Sequence, residues 1–526
     1  LALGRIGAPA GVAALVEVLR TNAGADRPLA HAAAAALARC ADPGRLVALI
    51  SDPSVDVRLG AVVALRRLAH LGLVPFLSDP EPRVVGEAAR AVYDGWVEGA
   101  LPALASLLVA ERELEGPLAR RVLAANRRLG GEERAEALAR FAADAARQGQ
   151  QRLEALRMLR DWSEPEGRDP LTGEWWPVER PPLELERARE FLPRLVAELG
   201  ESGIGDAPPL VVRAWLDLVQ RHDTAGQVAR LRAWALDGGR DARVRARCVE
   251  LLEEARPEGL VTTLRALLFD HAEPVRAAAV QAFGRLAPEA ALPVVEAALE
   301  RGGVEDLRAA YATLAELASA PSDQRLLREL ERLEADALPA EVALDLVQAA
   351  ESRGQGELGE LLAVRAARRA PAGERAPWLD SLHGGDVERG AKLFRESAEL
   401  ACLRCHVVGE GEDGPLGGRV GPDLRGLAQR ATRMALLESI LEPNARIAEG
   451  YHATQLLLDD DTLVEGRIEV EDGGRIALRN SDDEVLEIDP ARIVERRAGL
   501  SAMPDGLEQF LDRAQMRDLI AYLASL

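Results

Sequence analysis

The chain has 526 residues, a formal net charge of -21, an apolar fraction of 48% and an aromatic fraction of 3%. That length exceeds what one compact core supports, and the Ala-, Leu- and Arg-rich composition favours an elongated array of helices with small interfaces. The acidic balance argues against nucleic acid as the main partner, and without a run of about 18 apolar residues no membrane span is expected.

From residue 1 to about 370 the sequence reads as paired amphipathic helices separated by turn residues at intervals of about 30. Asp52-Pro53, Val57, Ala61 and Ala64-Leu65 are echoed by Asp79-Pro80, Val84, Ala88 and Ala91-Val92. Ala242-Arg243-Val244-Arg245-Ala246 is likewise echoed by Glu273-Pro274-Val275-Arg276-Ala277. In each repeat Asp or Pro breaks the chain, valine starts the inner helix, and alanines let neighbouring helices approach closely. This pattern resembles HEAT-like repeats and implies an α-solenoid, without specifying an activity. His31, His70, His222 and His271 fall in the array without a second ligand at helical spacing, and Cys40 and Cys248 read as small core residues. The sequence opens inside a repeat, since Leu3-Gly4-Arg5-Ile6 parallels Phe283-Gly284-Arg285-Leu286. A longer precursor is therefore expected, with any export signal upstream of Leu1.

Residues 162–184 interrupt the array with Trp162, Trp175, Trp176 and several prolines, and cannot be helical throughout. Two readings are open: a loop that lays its tryptophans over the solenoid, or a docking element for a neighbouring domain. A second boundary is expected at a linker, residues 371–383, which begins in Ala370-Pro371-Ala372-Gly373.

Beyond it, Asp386 to Phe394 reads as an acid-capped helix with Gly390 and Phe394 on one face. Asp512 to Leu526 is amphipathic, with Met516, Leu519, Ile520, Tyr522 and Leu523 apolar, so a close crossing of the two helices is expected. Between them stands Cys402-Leu403-Arg404-Cys405-His406. Two thiols at this spacing can add across the vinyl groups of one haem, and the histidine after them can reach its iron, so covalently bound haem c is the expected cofactor. A zinc site would want further cysteines nearby, and a thioredoxin-like dithiol would want a preceding strand. Residues 450–497 change period: Leu456-Leu457-Leu458, Val464 to Ile468, Arg475 to Leu478 and Val485 to Ile488 read as short strands of an inserted antiparallel β subdomain.

Gly385-Asp386, Gly390, Leu393-Phe394, C-x-x-C-H and the terminal Ala521-Tyr522-Leu523 resemble class I cytochromes c. Val420-Gly421-Pro422-Asp423-Leu424, Leu441-Glu442-Pro443-Asn444, Gly450-Tyr451 and Ser501-Ala502-Met503-Pro504-Asp505-Gly506-Leu507 extend the likeness. In this order the motifs resemble the planctomycete-type haem-binding domain family over residues 384–526. The resemblance implies a cytochrome c-like helical haem domain. It implies that the Pro422 carbonyl supports His406 and that Met503 is the second iron ligand, with Met434, Met516 and His452 as rivals. Members commonly carry HEAT-like repeats before the haem domain, and often a β-propeller resembling sugar dehydrogenases before those.

The leading functional expectation is an electron-transfer protein with a helical-repeat scaffold, non-catalytic by itself and exported, for instance to the periplasm, because c-type maturation takes place outside the inner membrane. Its partner would be a redox protein or an upstream dehydrogenase domain. The alternatives are the electron-accepting part of a propeller-type dehydrogenase, and a solenoid binding protein whose haem is a sensor or a structural staple.

Overall fold

A computed structural model describes residues 2–109, 114, 116–164, 166–411 and 414–526. By its backbone contacts the chain forms two units, residues 1–263 and 264–526. Among the described residues no helix is long and apolar enough to cross a membrane.

In the first unit, short polar side chains start helices by accepting from orphan backbone donors. Asp26 caps Arg27–Cys40, Asp42 caps Pro43–Ala48 and Asp241 caps Ala242–Ala255. The repeat positions then go inward. Val57, Ala61, Ala64 and Leu65 on Val55–Arg67, and Val84, Ala88, Ala91 and Val92 on Pro82–Tyr93, are all fully buried. The arginine after the first inner valine has a role that periodicity does not announce. Arg58 forks onto the buried Asp79 carboxylate, with Nε at 2.8 Å and Nη2 at 3.2 Å, and also donates to the Asp52 carbonyl. A planar bidentate pair of this kind locks one repeat to the next. The same arrangement recurs in the second unit, where Arg276 binds Asp306 and the Asp270 carbonyl.

The interruption forms an antiparallel hairpin of β1, Glu166–Arg168, and β2, Trp175–Val178, and it ends earlier than expected because Pro182 begins the helix Pro182–Glu201. Trp162 and Trp176 are buried while Trp175 is exposed. Trp176 stacks on Trp96 at 5.3 Å, takes the Arg128 guanidinium on its ring at 3.5 Å, and lies beside Tyr93, whose hydroxyl donates to Asp169. Two of the three tryptophans are thus buried, Trp176 against Tyr93 and Trp96, and Trp162 against Phe191. Cys40 and Cys248 are buried among helices, and His222 is held by the Arg160 carbonyl.

In the second unit the array continues into a helix Gly356–Arg369 and a 3-10 stretch Ala370–Ser381. This stretch, which includes most of the expected linker, is anchored: Asp380 accepts from Arg365 and Arg369, and Ser381 donates to the Arg513 carbonyl. The C-terminal helix, Arg513–Leu523, is tied back to the array through Arg517–Asp345 and Arg513–Glu351. These ion pairs join the last repeats to the C-terminal helix within one unit.

The other face of the C-terminal helix crosses Val387–Glu396, whose N-cap is Asp386. The crossing is closest at Gly390, where any Cβ would stand 2.0 Å from the Asp518 carbonyl oxygen. Phe394 meets Tyr522 with ring centroids 5.5 Å apart, and the Asp518 carboxylate accepts from Asp386 N and Arg389. Around them a core of Leu400, Leu424, Leu437, Ile440, Met516 and Ile520 closes.

A short hairpin, β3 Gly409–Gly411 with β4 Gly414–Leu416, comes after the C-x-x-C-H turn and has no counterpart among the strands expected from the sequence. The β insertion is a five-stranded antiparallel sheet: β5 Thr454–Leu458, β6 Leu463–Asp472, β7 Arg475–Arg479, β8 Val485–Ile488 and β9 Ile493–Ala498, in the order β8-β7-β6-β5-β9. The fifth strand, mostly exposed and rich in charge, was not expected; it pairs at the edge with β5. Leu456, Leu458, Ile476, Leu478 and Ile488 make a small separate core. The β7–β8 turn reaches back to the C-x-x-C-H turn through Asp482–Arg404 at 2.6 Å, and Asp483 accepts from Arg419 N, on the segment after β4, at 3.3 Å.

Candidate functional site

Cys402–Cys405 is a single helical turn, entered from Ala401 in the left-handed region (φ 46°) and left at His406, whose backbone is extended. His406 N donates to Cys402 O at 3.0 Å, so one closed turn holds both thiols and the imidazole. Residues three apart on such a turn share a face.

The segment after β4 runs back along this turn, with Gly418 N on Leu403 O at 3.0 Å, Gly421 N on Cys405 O at 2.8 Å and Leu424 N on Val407 O at 2.8 Å. Gly421 is required by the close approach: a Cβ there would lie 2.5 Å from His406 Cε1 and 2.8 Å from Nδ1. With only backbone beside it, the ring donates Nδ1–H to the Pro422 carbonyl at 2.8 Å. A carbonyl can only accept, so the hydrogen is on Nδ1 and the neutral ring keeps its lone pair on Nε2. Burial lowers the His406 pKa, with the Pro422 carbonyl opposing, which favours the neutral ring at pH 7.

Burial also pushes the Cys402 thiol up to about 11 and raises that of Cys405. A redox dithiol needs the opposite, a thiolate stabilised near neutral pH. Among the described residues, no group of three or more His, Cys, Asp or Glu is arranged to hold a metal ion.

These side chains line a cavity of about 570 Å³, to which Met503 comes from the loop before the C-terminal helix. Phe394, Leu436, Ile440, Leu507, Leu519 and Leu523 supply apolar walls, and Arg430, Arg446, Asp423 and Glu449 add charges of both signs. Size, apolar walls and a few convergent polar groups are the features of a cofactor site. All five residues singled out in the sequence, Cys402, Cys405, His406, Pro422 and Met503, line this one cavity. Their rivals do not line it. Met516 is buried in the core on the C-terminal helix, Met434 packs against that core from Arg433–Leu441, and His452 is exposed, two residues before β5.

The sequence reading gave no role to Asn444 or Arg446, although Asn444 lies within the Leu441-Glu442-Pro443-Asn444 motif. Arg446 lines the cavity, and Asn444 bonds the Met503 loop.

Residues 229–315 match the family of HEAT repeats. No curated protein matches the chain.

Proposed function

We propose that residues 384–526 are a c-type haem domain of the planctomycete-type C-x-x-C-H family, and that the protein is an electron-transfer module carrying this domain on its HEAT-like helical scaffold. The observation that carries this reading is the convergence of Cys402, Cys405, His406 and Met503, from stretches far apart in sequence, on one apolar cavity. The residues present fit such a group: Gly421 leaves the His406 ring its space, Pro422 fixes its tautomer, and the cavity is of cofactor size.

In this reading Cys402 and Cys405 would hold the group covalently as thioethers, each S–H added across one vinyl group so that no group leaves. His406 donates through Nε2 while Pro422 holds Nδ1–H and strengthens the imidazole as a donor. Met503 would supply a second donor, and the apolar walls would keep water from the site. Arg430 and Arg446, which line the cavity with Asp423 and Glu449, would be the cationic partners for acidic groups of the cofactor. Such a cofactor would supply one-electron chemistry, and ligation by His406 and Met503 would raise its potential. The same proposal includes export to the periplasm or its equivalent. It also includes a partner that is a redox protein or an upstream dehydrogenase domain.

The test is expression of the chain with c-type maturation machinery, then denaturation and haem staining. Stain should stay with the wild-type polypeptide and be absent from Cys402→Ala with Cys405→Ala. Covalent haem on that double variant overturns the reading.

A further inference from the structure

We infer that Asn444 is the positioning residue for Met503: its side-chain amide pins the loop that presents the Met503 sulfur to the cavity His406 also lines. The inference rests on the haem reading above.

Asn444 lies just past the helix Arg433–Leu441, where Pro443 prevents the helix from continuing. Its Oδ1 accepts from Ser501 N at 2.8 Å, and its Nδ2 donates to both carboxylate oxygens of Asp505, at 3.2 and 3.1 Å. Inside the loop, Met503 N donates to Ser501 Oγ at 3.1 Å. The turn 501–505 is thus fastened at both ends to one side chain, with Met503 at its centre.

The chemistry explains why an amide stands there. Residues 501–505 belong to no helix or strand, so no backbone ladder fixes them. Methionine adds three rotatable bonds of its own, and a sulfur on an untethered loop would sample many positions. Of the side chains of this length, only asparagine offers a donor and an acceptor together. Aspartate would keep the bond from Ser501 N but lose the donor and repel Asp505. Neighbouring Pro443 lines the cavity, so the tether also joins the loop to the cavity wall.

The test uses the matured full chain and reads the weak sulfur-to-iron charge-transfer band of the ferric form together with the affinity for added imidazole, which competes with methionine for iron. Asn444→Ala and the isosteric Asn444→Asp are each expected to weaken the band and bind imidazole about tenfold more tightly, the worth of one hydrogen bond to a charged group. Asn444→Asp combined with Asp505→Asn restores complementary donors and acceptors and should bring both readouts back. Wild-type band and imidazole affinity in both single variants overturn the inference, as does failure of the paired exchange to rescue Asn444→Asp. Met503→Ala, measured in parallel, separates the two levels. If the band survives in that variant, or is missing from the wild type, the ligand assignment itself falls and takes the inference with it. If the band is lost there but intact in the Asn444 variants, only the inference falls.

Discussion

Gly390 stands so close to Asp518 that a single added methyl would lie 2.0 Å from the Asp518 carbonyl oxygen and 2.8 Å from Tyr522 Cβ. The nearest atoms are backbone, which cannot swing aside, so the crossing of Val387–Glu396 with Arg513–Leu523 depends on glycine at this position. Alanine would gain about 1 kcal/mol from helix propensity. Against that it meets strain at the upper end of the usual ~1–3 kcal/mol for overpacking. Gly390→Ala should therefore lose about 2 kcal/mol of stability, read by urea unfolding. Equal or greater stability in the variant would show that the helices cross less closely than described.

Gly421→Ala places its new carbon against the His406 ring rather than against a helix. The ring must turn or the loop must lift, and either breaks the bond from Nδ1 to Pro422. The expected outcome is a loss of about 1–3 kcal/mol in unfolding, with a shifted haem absorption spectrum in matured protein. A variant with both properties unchanged would separate Gly421 from the orientation of His406.

Met503→Ala should abolish the ferric sulfur-to-iron band while leaving covalent haem in place, because Cys402 and Cys405 are untouched. An unchanged band would move the ligand to Met434 or Met516. Absence of the band from the wild type would favour His452.

In the array, Arg58→Ala removes the counter-charge from the fully buried Asp79 side chain. Asp79 keeps its bond from Glu81 N, but neutral donors do not replace the arginine's charge for a carboxylate out of water. The expected loss is about 3–5 kcal/mol, the usual cost of breaking a buried pair from one side. Arg497→Ala, whose partner Glu495 is exposed, is the control and should leave thermal unfolding unchanged. Similar midpoints for the two variants would argue that the repeats are held by apolar packing alone.

The features legible in the sequence lie within one turn of helix or one strand. Asp386 and Asp512 announce their helices because a cap acts on a donor three residues on, and the buried valines and alanines repeat at helical spacing. The C-x-x-C-H run is likewise a local statement: four consecutive peptide bonds bring two thiols and an imidazole onto one turn. Four of the five strands of the β insertion could be read from alternation and turn residues, whereas β9, charged and mostly exposed, carries no such period. The role of Asn444 was invisible because its partners Ser501 and Asp505 lie 57 and 61 residues away, and a side-chain amide carries no periodic signal. The pairing of Arg58 with Asp79 and of Arg276 with Asp306 was hidden for the same reason. The methionines show the division most clearly. Met434, Met503 and Met516 are chemically identical thioethers, and the sequence ranked them by family resemblance and by the helices expected around Met434 and Met516. Tertiary structure buries Met516 in the core, packs Met434 against that core and carries Met503 to the cavity of His406. Which sulfur reaches that cavity depends on the path of the backbone between distant elements, and no local propensity encodes that path.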